Sequence, residues 1–121
     1  MAKVISVERT IRVRFSRLAS EWKRTRNKYA SGVDMFMHPA YQQIIGMGER
    51  VLPLIFEELS RELDHWFWAL KAITQADPVP IEEVGNLAAM RNRWIAWATE
   101  HGYQWQPNYK NTRSSAGNSL R

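Results

Sequence analysis

The chain has 121 residues, 45% hydrophobic and 24% charged, the balance of one soluble globular domain. Its lack of cysteine excludes disulfides, thiolate zinc sites, iron–sulfur clusters and thiol nucleophiles. The net charge is +5, six tryptophans are present, and no apolar run approaches the ~18 residues of a membrane span or forms a leader after Met1.

Taken in chain order, residues 4–28 carry two overlapping periods. Ile5, Val7, Ile11, Val13 and Phe15 fall on alternate positions, as in a half-buried strand. Val4, Val7, Ile11, Phe15, Leu18 and Trp22 step by three or four, as on one helical face. Only the second pattern continues through Leu18 and Trp22, so the spacing predicts a helix over about 8–27. Ala30-Ser31-Gly32-Val33-Asp34 reads as a loop. His38-Pro39 marks the next helix start, since proline suits the first helical position and pushes its predecessor out of the α region. Tyr41, Ile44 and Ile45 give that helix an apolar face, and Gly46 and Gly48 end it.

A further helix is expected from about Glu49, with Pro53 early in it and Val51, Leu52, Ile55, Phe56 and Leu59 as its buried stripe. Asp64 is placed to cap the following helix, at about 65–75, through its short carboxylate. Trp66, Ala69, Leu70 and Ile73 share one face there, while Phe67, Trp68 and Ala72 carry apolar surface round the cylinder. Asp77-Pro78-Val79-Pro80 ends that helix. Asn86 is the expected cap of the last, where Leu87, Met90, Trp94, Trp97 and His101 follow a 3-4-3-4 spacing before Gly102. Residues 106–121 read as a disordered polar tail. The expectation is an all-α, compact bundle of about five helices, with a single helical domain over 1–105.

Charge divides this domain. Residues 1–28 hold nine basic side chains against Glu8 and Glu21, whereas residues 29–100 hold five basic and ten acidic ones. A basic helix at about 8–27 thus precedes an acidic body at 35–103. Either the two neutralise each other in the fold, or Arg9, Arg12, Arg17, Lys23 and Arg24 stay free to meet phosphates or an acidic partner. Such phosphate contacts would be non-specific and salt-sensitive.

Residues 48–73 resemble a single HEAT-like repeat, on Gly48, Pro53-Leu54-Ile55, Leu59, Asp64 in the inter-helix turn, and Ala69, Ala72 and Ile73. That resemblance implies a central helical hairpin, with Trp66-Phe67-Trp68 where such repeats usually have a Val-Arg step. The run from His38 to Gly48, with His65-Trp66-Phe67-Trp68-Ala69-Leu70 and Pro78-Val79-Pro80, resembles a family of small uncharacterised bacterial proteins. The second resemblance implies a setting on mobile or accessory genetic elements.

Catalytic chemistry finds little support. His38, His65 and His101 lie on three different segments, unlike converging metal ligands. Neither a glycine-rich phosphate loop, a G-x-S-x-G elbow nor a zinc-protease helix motif is present. The weakest of three functional readings is therefore an enzyme using Glu58, Glu62 and His65. The first is a non-catalytic accessory or adaptor protein, without metal or cofactor, in a reduced cytoplasmic setting. It would bind a protein partner through Phe67, Trp68, Tyr103 and Trp105, because the aromatic excess outruns what a small body buries. The alternative is a small nucleic-acid-binding protein using the basic helix.

Overall fold

The computed structural model describes residues 2–26 and 32–105; the sequence-predicted tail at 106–121 lies outside them. Among the described residues the chain is all-α, with six α-helices, two short 3-10 turns and no strand. Contacts divide it into two units, Met1–Ile55 with His65–Asp77, and Phe56–Asp64 with Pro78–Arg121.

In the first unit, α1 (Ala2–Thr25) begins earlier than the expected residue 8, because neither Gly nor Pro interrupts residues 2–7. Its buried face is Phe15, Leu18, Ala19 and Trp22, a 3-4 spacing that leaves the strand-like alternation unused; of the expected face, Val7 is exposed and Ile11 half-buried. Part of the expected 30–34 loop is instead helical: α2 (Gly32–Met37) forms, and side chains from neighbouring elements take two of its C-terminal carbonyls. Trp22 Nε1 donates to Met35 O at 3.1 Å, and Gln42 Nε2 to Phe36 O at 2.8 Å. A short helix with so few internal bonds depends on such partners.

Helix α3 (Pro39–Gly46) starts where His38-Pro39 predicted. His38 is its N-cap, with Nδ1 accepting from Ala40 N at 3.0 Å. An accepting Nδ1 leaves the ring proton on Nε2, which meets Thr25 Oγ1 at 2.6 Å. The Thr25 hydroxyl donates in turn to Glu21 O at 2.7 Å, so one cap residue ties α3 to the end of α1. The helix expected from Glu49 opens as a 3-10 turn, Gly48–Val51, before α4 (Leu52–Arg61).

Helix α5 (Phe67–Thr74) is shorter than expected, and its N-cap is Trp66 rather than Asp64. The Trp66 side chain makes no capping bond. The third amide of α5 is served from α3: Tyr41 Oη accepts from Ala69 N at 2.9 Å and donates to His65 O at 3.0 Å. Around this hydroxyl the rings of Trp22, Tyr41 and Trp66, all fully buried, lie 4.8–6.0 Å apart. Each buried ring of this size contributes roughly 4–6 kcal/mol of apolar transfer.

The second unit takes the end of α4, a 3-10 turn at Ile81–Glu83 and α6 (Leu87–Glu100). Asn86 caps α6 as predicted, accepting from Ala89 N at 3.1 Å. Gly102, at φ 81°, follows its end in the left-handed conformation glycine adopts freely. Trp94 and Ala98 are buried, and Phe56 carries the half-buried rings of Trp97, Tyr103 and Trp105 at 5.4–6.5 Å. No described helix is long and apolar enough to cross a membrane.

Tyr41→Phe removes one hydroxyl and leaves the buried Ala69 amide unpartnered. The expected loss is about 1–3 kcal/mol in urea unfolding, with helicity retained by circular dichroism. Unchanged stability would show that this hydroxyl is not what starts α5.

Candidate functional site

The surface of the first unit carries two features built by different elements. On α1, the residues opposite the buried Phe15–Trp22 face are Arg9, Val13, Arg17, Ser20 and Arg24, each exposed. Steps of three and four align them in one row, about 22 Å long at the helical rise. The row contains no acid. The side chains of Arg9, Arg17 and Arg24 make no ion pair or hydrogen bond among the described residues. Arg12 is exposed and Lys23 half-buried, and each is engaged by other groups. Arg26, which the sequence did not single out, lies over the Trp22 ring at 4.4 Å.

The aromatic candidates separate. Phe67 is buried in the first unit, at 7% exposure. Trp68, its neighbour, is 51% exposed. Its ring stacks on Phe36 at 5.5 Å with 8° between planes, and Val33 and Met37 are exposed on the same short helix, α2, as Phe36. In the second unit, Trp105 is held by a bond from its Nε1 to Ser60 Oγ at 3.1 Å, and Tyr103 packs on Phe56 and Trp97. Of the four aromatic residues singled out from sequence, Trp68 is the one with most of its ring surface open. Phe36 carries no sequence signal of its own, because Met35-Phe36-Met37 is too short a run between the expected loop and the His38-Pro39 start to show a period.

Of the residues considered for catalysis, Glu58 and His65 are half-buried and Glu62 is exposed, and Glu62 and His65 each have an interaction partner. Glu58 is ion-paired with Arg61, one turn away on α4. His101 stacks on Trp97 at 4.0 Å, and its Nδ1 donates to Trp97 O at 2.8 Å, at the C-terminus of α6. Among the described residues no three His, Asp or Glu side chains converge as metal ligands would. The second unit also contains a bidentate clamp: Arg93 Nε and Nη2 donate to the two oxygens of Glu83 at 2.9 and 2.8 Å.

That hydrogen bonding holds the Glu83 carboxyl below its ordinary value of 4.5 and pushes Arg93 upward. The clamp's contribution is therefore present above the ordinary carboxylate value and fades as pH falls through the lowered one. Being solvent-exposed, it is a small contribution. In Arg93→Ala the carboxyl midpoint of Glu83, followed by NMR, rises toward the ordinary value; an unmoved midpoint would show that Arg93 is not its cause. No protein-family model, curated protein or solved structure matches the chain.

Proposed function

We propose that this chain is a non-catalytic accessory or adaptor protein that works by protein–protein contact. The observation that carries the reading is the Phe36–Trp68 stack, half open to solvent beside exposed Val33 and Met37. Tryptophan is the residue most often found at the energetic centre of interfaces. About half of this ring's apolar transfer, roughly 2–3 kcal/mol, remains for a partner to claim. Clusters of exposed large apolar residues mark interaction sites more often than scattered single ones do.

In this reading the setting is a bacterial nucleoprotein or accessory-element complex, as the resemblance of residues 38–48, 65–70 and 78–80 implies, and a reduced cytoplasm, which the cysteine-free composition suits. Residues 48–73 are kept in this reading as one HEAT-like hairpin. A second reading rests on its own observation, the acid-free row of Arg9, Arg17 and Arg24. A cationic row of this kind suits the phosphates of a nucleic acid.

One capture experiment decides between the two. Tagged full-length protein is incubated with a bacterial lysate, beside Trp68→Ala and Arg17→Ala/Arg24→Ala, each checked for folding. The proposal expects a saturably bound protein whose affinity drops about thirtyfold or more in Trp68→Ala, the fold equivalent of a hot-spot loss near 2 kcal/mol. Equal capture by Trp68→Ala would contradict it. Recovery of nucleic acid instead, lost in the double arginine variant and on raising salt, would put the second reading first.

A further inference from the structure

Away from the Trp68 face, two adjoining grooves open on the first unit, of about 490 and 460 Å³. Ile11 and Arg50 line both. Half-buried Pro53 and Leu54 join Ile11 in the first groove, and half-buried Met47 joins it in the second. The charged lining is one-sided. Arg9, Arg12 and Arg50 line the first and Arg14 and Arg50 the second, all exposed, against Glu8 alone. The side chains of Arg9, Arg14 and Arg50 have no ion pair or hydrogen bond among the described residues.

This combination selects its occupant. Cavities of this volume with apolar half-buried walls accept aliphatic side chains, and bare phosphates gain nothing from such walls. Neither groove is lined by an aromatic ring, so neither offers the stacking platform that single-stranded bases use. The lining comes from helices and a 3-10 turn, which present no open sheet edge for an added strand. What remains is a ligand that brings its own side chains in two places and negative charge around them.

We propose that the two grooves dock an acidic amphipathic helix of a partner protein. It would seat two aliphatic side chains on either side of Ile11 and set carboxylates against Arg9, Arg14 and Arg50. Helix-in-groove recognition of this kind takes its affinity from the apolar anchors, and the surrounding charges set the orientation and speed of docking. Arg50, shared by the two grooves, is the cation the ligand meets from both.

The test is a fluorescence-anisotropy titration of the full chain with a labelled synthetic helix. The peptide carries leucines along one face and glutamates beside them. Its controls are a Leu→Ser version of equal charge and a DNA duplex. The expected result is saturable binding at low salt, weakened at least about tenfold by Arg50→Glu and by the Leu→Ser change. Arg91→Glu, an equal charge change outside the grooves, is expected to shift it less than threefold. Arg14→Glu serves in the same way should Arg50→Glu fail to fold. The proposal is overturned by any of four results: no binding, equal binding of the Leu→Ser peptide, tighter duplex binding with the same Arg50 dependence, or self-association of the chain that Arg50→Glu abolishes. A chain that binds the peptide yet captures no protein through Trp68 keeps this inference and loses the function proposed above; the opposite pair of results does the reverse.

Discussion

The first unit is organised by one buried side chain, Trp22. Its indole N–H holds the Met35 carbonyl of α2, and its ring packs on Tyr41 of α3 and on Trp66 at the start of α5. Arg26 lies over the same ring from the end of α1. Four helices are thus fixed by contacts within 5 Å of a single residue, with Tyr41 completing the link by serving the first turn of α5. Aromatic rings suit this task because each buries large apolar area with few rotamers to lose, and Trp and Tyr add a polar handle for a carbonyl or amide.

The proposed function rests on what this arrangement leaves outside. Once Phe15, Leu18 and Trp22 face inward, helical geometry turns Arg9, Arg17 and Arg24 outward, and no acid shares their row. Once Phe67 and Ala69 enter the core of the same unit, Trp68 between them points elsewhere and finds Phe36. The exposed aromatic pair and the cationic row are therefore consequences of the same packing, not additions to it. The open aromatic and cationic surfaces are the features on which the proposed binding role rests.

Much of this was legible in the sequence, and the rest has physical reasons for being hidden. The 3-4 spacing through Trp22, the His38-Pro39 start, the Asn86 cap and the stop at Gly102 rest on local rules of helix termini, and each is seen. Helix α2 leaves little trace in its own six residues, because two of its carbonyls are served from outside it, by Trp22 on α1 and Gln42 on α3. The cap of α5 was misassigned to Asp64 because a tyrosine hydroxyl arriving from α3 leaves no trace at residues 64–67. Phe67 and Trp68 were indistinguishable as adjacent aromatics on an apolar helix; only tertiary packing separates the buried one from the open one. Arg50 escaped notice because its importance lies in the two grooves it borders, which pair it with residues some forty positions away.

The division of the tryptophans into structural and displayed members is the claim on which the fold and the proposed function both depend. Hydrogen exchange at the six indole N–H groups, resolved by NMR, tests it directly. Slow exchange at buried Trp22, Trp66 and Trp94 beside fast exchange at Trp68 is the predicted result. Exchange at Trp22 as fast as at Trp68 would contradict it, since the indole that joins α1 to α2 would then be open to water.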